Sequence, residues 1–301
     1  MSTPQPGIIA ESSQHAIYLS YNVKRNSEAL SSVKAFLKNV PVIQSRLDSL
    51  GNGAFLTVAV GSVYWHQIST TQPAELTAFP ALENGIRVAP STPTDLYVSI
   101  RSDSVDINMD LMAEVQNTLG SNVTLIEEIR GFRYHDMRDL TGFVDGTENP
   151  EGDHRAEVAL VAEGEFAGGS YLHVQRYEHD LESWGSLPVS EQEKTYGRTK
   201  QDNVEFASAD KSPHAHTKRT SLKDENGQSI EILRHSMPYG DAHRKGLVFI
   251  SFGASPVPFT KMLTSMVMGD EHGDADNLLL FTRAVTGSAY FAPSINWLEQ
   301  L

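Results

Sequence analysis

Two amphipathic helices set among strands, in the order β-α-β-β-α-β, constrain the first half of this chain more than any other feature. His15 to Val23 alternates as a strand does. Asn26 or Ser27 then caps a helix whose apolar positions Leu30, Val33, Leu37 and Val40 keep a helical period, and Gly51 and Gly53 punctuate its end. FLTVAVGSVYW from Phe55 is a second strand, and Leu96, Val98 and Ile100 share one face of a third. Ile107, Leu111, Val115 and Leu119 fall at fours along a second helix, which Gly120 stops. Val123, Leu125 and Ile129 mark a fourth strand. That order is the one of a ferredoxin-like unit.

The second half repeats the theme less cleanly. Strands are expected at AEVALVA from Ala156, GGSYLHVQRY from Gly168, IEILRHS from Ile230 and GLVFISFGAS from Gly246. Ser190 and Glu193 have the spacing of a capping box that opens one helix. FTKMLTSMVMG carries Phe259, Met262 and Met266 at helical spacing, for which core filling is the simplest reading. A stretch rich in Gly, Asp, Asn and Pro, residues 141–153, separates the halves, so two domains are expected at 1–140 and 141–301. The fold class expected is α+β, with two ferredoxin-like units whose sheets face each other in a dimeric α+β barrel-like sandwich.

Charge and composition remove several functions. Lys and Arg total 24 against 38 Asp and Glu, a net charge of −14. A general nucleic-acid binder neutralises phosphates with cations, so no nucleic-acid partner is expected, and no docking on an anionic membrane. The chain has no cysteine, which excludes disulfides, thiolate nucleophiles, iron–sulfur clusters and Cys-held zinc or haem. MSTPQPGIIAESSQ does not read as a signal peptide, and no apolar run is long enough to span a bilayer. A cytoplasmic location is the expectation.

Four places invite a chemical reading, each beside a bland one. Asp145-Gly146 in GFVDGTENP is, taken alone, an ordinary turn dipeptide. His214 and His216 would share a face on a strand and approach a metal together, but Pro213, Lys218 and Arg219 around them read as a loop, and no third ligand has telling spacing. Arg234 in ILRHSMPYG stands in an apolar strand, so it pairs a carboxylate or faces a polar cavity. GDEHGDAD lacks the twelve-residue spacing of a calcium loop, and Asp274 or Asp276 reads as the cap of the DNLLLF segment. Walker, GxGxxG, HExxH and GxSxG motifs are absent.

GFRYHDMRDLTGFVDGTENP resembles the GxxDG region of the dye-decolourising peroxidases, with Gly142, Asp145 and Gly146 in the signature positions and the match running on through Thr147, Glu148, Asn149 and Pro150. AHTKRTSL is similar to that family's segment around the proximal haem-ligating histidine, ILRHSMPYG to its distal arginine segment, and LLLFTRAVTGSAYFAPS to its C-terminal stretch. The resemblance implies a pair of ferredoxin-like units with heme b bound mainly in the C-terminal half. It implies His216 as iron ligand, Asp145 as distal acid–base and Arg234 as distal cation, with Gly146, Thr147 and Asp276 also around the cofactor. His216 is preferred to His214 because it stands three residues before Arg219. Asp276 is read either as a helix cap or as the carboxylate that accepts the other ring N–H of His216. Ser236 departs from the Asn that many members carry two residues after the arginine. The implied partners are hydrogen peroxide and a bulky organic reductant such as a dye or phenol, and a homo-oligomer is expected. Tyr134, Tyr177, Tyr239 and Trp184 are available to relay electrons, although each also reads as a core aromatic. The alternatives are an enzyme acting on porphyrin itself, by decarboxylation or iron removal, and a non-catalytic haem carrier. No C-terminal tail for packing into a protein compartment is read after NWLEQL.

Overall fold

The computed structural model describes residues 2–51 and 53–301. Its strands are β1 (His15–Val23), β2 (Phe55–Gly61), β3 (Leu82–Asn84), β4 (Arg87–Ala89), β5 (Leu96–Ser102), β6 (Val123–Phe132), β7 (Ser170–His179), β8 (Leu233–Arg234), β9 (Met237–Gly240), β10 (Lys245–Gly253), β11 (Thr282–Ala284) and β12 (Ser288–Ala292). In the first half the order is β2-β5-β1-β6, and in the second it is β12-β7-β10-β9. Numbered within its own half, each sheet therefore reads 2-3-1-4 from one edge or the other, the ferredoxin-like order. Pairings β12–β2 and β6–β9 join the two sheets, so eight strands close into a barrel with β11 and β8 flanking it. Closure leaves few free edges, which is how an all-antiparallel sheet of this length avoids pairing with other chains.

The alternating faces explain the three layers. Tyr18, Tyr97, Leu172, Val248, Ile250 and Tyr290 point into the barrel and form its interior. On the outer face of the first half, Val33, Phe36, Leu37 and Val40 of the helix Ser27–Leu50 pack on Leu56, Val58, Val98 and Ile100 without a gap. Asn26 caps that helix, its Oδ1 accepting from the Ala29 N–H at 2.8 Å, and Gly51 ends it at φ 61°. On the outer face of the second half the helices Val257–Met268 and His216–Thr220 stand off the sheet, and a cavity lies between.

Three local expectations fail. The run from Ala156 is not a strand but part of the helix His154–Ala159. A short apolar run does not distinguish the two states, and here Val158 and Ala159 pack on the barrel interior while Arg155 binds the carbonyls of Ile9, Ala10 and Pro150. The helix Val189–Tyr196 begins one residue before Ser190, so no capping box forms; Glu193 instead accepts the Lys200 N–H at 2.9 Å. The strand expected from Ile230 is reduced to β8 and resumes as β9, with the Ser236 hydroxyl accepting the Ile250 N–H at 3.3 Å in the break.

Candidate functional site

The cavity holds about 310 Å³ and is enclosed by one sheet face, two helices and the loop 141–148. Its walls are mainly apolar, with Leu247 and Phe249 from β10 facing Phe259, Met262, Leu263 and Met266 of the helix Val257–Met268. The methionines read as core filler are therefore half-buried wall, their flexible side chains shaping the cavity. Among the sequence-singled residues, Asp145, Gly146, Thr147, His216 and Arg234 all line this one space.

His216 opens the short helix His216–Thr220. Its Nδ1 lies 2.6 Å from Asp276 Oδ2, and the edge of Tyr196 meets its ring at 5.8 Å between centroids. Asp276 is fully buried, and its other oxygen accepts the Leu278 N–H at 2.8 Å. Capping and pairing to His216 are thus two jobs of one carboxylate. A bond to a carboxylate fixes Nδ1 as the protonated nitrogen and leaves Nε2 as a basic lone pair. His214 is turned away: its Nδ1 lies 3.0 Å from the Ala275 carbonyl and its Nε2 3.4 Å from Asp274. Arg219, buried beside them, grips Asp270 and the Asp274 carbonyl and so fixes the loop that presents Asp276.

Asp145 is held by its main chain, its N–H donating to the Met137 carbonyl at 2.8 Å, between Gly142 at φ 90° and Gly146 at φ 79°. Those angles suit glycine, so the turn reading of Asp145-Gly146 and the cavity reading are both correct. Arg138 donates to the carbonyls of Gly142, Lys200 and Gln201 and pins the same loop from outside. Asp145 Oδ1 and Arg234 Nη1 are 3.8 Å apart, an ion pair too long for a direct hydrogen bond. Burial pushes the Asp145 carboxyl above the ordinary aspartate range, and the Arg234 charge pulls against that shift.

Asn149 is the residue whose role sequence reasoning missed. Its Oδ1 accepts the Arg234 N–H at 2.8 Å and its Nδ2 donates to the Arg234 carbonyl at 2.9 Å. The loop carrying Asp145 is thereby stitched to the strand carrying Arg234, across 85 residues of sequence. Asp139, His179, Tyr177 and Tyr196 also line the cavity unannounced by any motif except Tyr177, which was among the aromatics named. His179 bridges Asp139 at 3.1 Å and Thr282 at 2.7 Å. Burial would raise the Asp139 carboxyl, but the bonds from His179 and Thr141 more than offset it and hold it low. Tyr196 stacks on Phe143 at 3.9 Å and Trp184 meets it edge-on. Tyr239 sits in the barrel interior bonded to Arg176, and Tyr134 meets the His135 ring at a tilt of 53°, away from the cavity. Ser236 is not in the cavity wall, its hydroxyl being engaged by the backbone.

The residue set fits haem. Among the described residues no three His, Asp or Glu side chains gather to cage a metal ion. A single imidazole oriented by a buried carboxylate, beside a mainly apolar space, suits an iron that brings its remaining ligands with it. Arg198 and Arg234 supply cations in the same wall for the carboxylates of such a group. Among the described residues no helix is long and apolar enough to cross a membrane.

Comparison with known proteins agrees in both halves. Residues 5–133 match the family model "Dyp-type peroxidase, N-terminal" and residues 136–297 match "Dyp-type peroxidase, C-terminal". The chain is 38% identical over 249 residues to the dye-decolorizing peroxidase of Mycobacterium tuberculosis, covering 81% of this chain and 74% of that protein. It is 37% identical over 304 residues to that of Rhodococcus erythropolis, covering 98% and 88%. Among solved structures, DyPB from Rhodococcus jostii RHA1 superposes with a TM-score of 0.95 at 34% identity, covering 99% of this chain and 98% of that one. A variant of that protein in complex with heme gives the same TM-score of 0.95.

Proposed function

Because the chain belongs to the Dyp-type peroxidase family and is a haem-dependent peroxidase, we propose that the cavity of its second half receives heme b, with His216 as the residue that would hold the iron, Asp145 as the proton shuttle and Arg234 as the fixed cation. The reductants proposed are bulky organic molecules such as dyes and phenols. The domain boundary proposed lies at 140/141, with the second unit as the haem-binding one. The observation that carries this reading is the convergence on one apolar cavity of Asp145 with His216 and Arg234, which lie 71 and 89 residues further along the chain.

Haem, when bound, supplies an iron centre at which peroxide is reduced and through which donor electrons pass. Asp276 accepts the Nδ1 proton of His216 as a hydrogen bond, which raises the basicity of Nε2 toward a metal. Asp145, ionised, would take a proton from one peroxide oxygen and deliver it to the other, directly or through a water beside its pair with Arg234. Arg234 remains protonated at any working pH and places positive charge where O–O cleavage leaves negative charge. Asn149 keeps that guanidinium and Asp145 at one separation by holding the Arg234 backbone.

Peroxide added to the haem-loaded protein separates this reading from its alternatives. A reversible shift of the main haem absorption band that decays faster with a phenol present is expected. An unresponsive band identifies a carrier, and loss of the band with release of iron or altered porphyrin identifies an enzyme acting on the porphyrin.

A further inference from the structure

Beside Arg234, the sheet face carries two polar side chains, Ser251 and His173, that the proposed chemistry does not use. Register sets Arg234, Ser251 and His173 side by side across β8, β10 and β7. Residues paired this way project from the same face with Cβ atoms about 4.5–5.5 Å apart. Ser251 is 1% exposed, and its hydroxyl has no hydrogen-bond partner among the described residues. His173 is 5% exposed, its ring stacked on Phe259 at 4.1 Å and met edge-on by Phe79. Neither of its ring nitrogens has a partner among the described residues, and burial pushes the imidazole down to about 3. It is therefore neutral, with one N–H to donate and one lone pair to accept. Beyond it, a second hollow of about 220 Å³ opens between residues 77–80 and the start of the helix Val257–Met268, with His173 in its wall and Lys261 at its rim. Gln175, two residues along β7 on the same face, turns an equally unpartnered Nε2 toward the main cavity.

Buried polar groups without protein partners are the usual seats of internal water. We propose that Arg234, Ser251 and His173 hold a file of water molecules that joins the main cavity to solvent in the second hollow, and that this file carries protons in and product water out during turnover. The inference rests on the peroxidase reading above. Reduction of one hydrogen peroxide takes two electrons and two protons and gives two waters. A phenol releases a proton with each electron, whereas ferrocyanide gives electrons alone, so both protons then come from solvent. A bulky donor seated in the main mouth blocks that route, and the side file stays open.

Ser251→Val and His173→Phe close the file with groups of similar shape, and the phenylalanine preserves the stack on Phe259. Both variants are expected to retain haem and the wild-type rate of reaction with peroxide. Phenol oxidation should stay within about twofold of wild type while ferrocyanide turnover falls about 100-fold, the low end for loss of a positioned proton donor. Independently of turnover, a high-resolution crystal structure of the wild-type protein should contain ordered water between the Arg234 guanidinium, Ser251 Oγ and the His173 ring, and the Ser251→Val structure should lack it. Unchanged ferrocyanide turnover in both variants, an equal fall with both donors, or a dry gap in the wild-type crystal overturns the proposal. A wild-type protein that oxidises neither donor with peroxide sinks the peroxidase reading instead, and the water positions are still read without turnover.

Discussion

Asp145 and Arg234 face each other across 3.8 Å, and in the proposed mechanism their interaction sets the acid side of the pH profile. Burial raises the Asp145 carboxyl above its ordinary value, and the guanidinium lowers it part of the way back. The proposed mechanism uses the ionised form, so the rate of reaction with peroxide should fall as pH drops through this elevated value. Removing the cation in Arg234→Leu disfavours the ionised form, raises the carboxyl further and moves that acid limb to higher pH. The same variant should lose roughly 100-fold in the peroxide step at its own optimum, the scale for one lost transition-state donor. Asp145→Ala should instead remove the acid limb altogether and leave a slow, flatter profile. Stopped-flow mixing with peroxide across pH distinguishes the two, and an acid limb that stays in place in Arg234→Leu contradicts the pairing. Both residues were readable in the sequence, one as part of a long motif and the other as a cation with no reason to stand in an apolar strand. The tie between them was not, because the spacing of side chains across 89 residues is a property of the fold.

Short elements around the site depend on side-chain-to-backbone bonds more than on propensity. Asn149 makes two such bonds to Arg234, and it is the only link of this kind between the Asp145 loop and β8 among the described residues. Asn149→Ala leaves a backbone N–H and a carbonyl partly buried without partners, a cost of about 1–3 kcal/mol for each group left unsatisfied. Haem content should remain near wild type, because His216 and Asp276 lie on other elements. The peroxide step should slow, with thermal stability reduced in parallel, and Asn149→Asp should restore only the bond to the Arg234 N–H. Spectroscopic titration of haem together with stopped-flow kinetics checks the split; haem loss without a kinetic change contradicts it. The elements that sequence reasoning misassigned belong here as well. The helix His154–Ala159 and the broken β8–β9 stretch are fixed by Arg155, Ser236 and main-chain partners far away in sequence, and a periodicity of five or six residues carries too little information to find them.

The molecule is a duplication with one half filled and the other left open. Both halves have the ferredoxin-like strand order, and that order was legible in the first half from helices long enough to keep an unbroken apolar period. In the first half those helices seat Val33, Phe36 and Leu37 directly on the sheet. In the second, shorter helices with Met262 and Met266 toward the sheet leave about 310 Å³ instead. The weak pattern of the second half is thus the sequence counterpart of its cavity, since residues that line a ligand space need not alternate as a packed core does. What the whole account requires is that this space binds haem through His216. The most direct test measures haem bound per chain in His216→Ala, with and without free imidazole, beside His214→Ala. Haem content close to zero in His216→Ala, recovered on adding imidazole and undisturbed in His214→Ala, is the expected result; full haem content in His216→Ala without imidazole would contradict it.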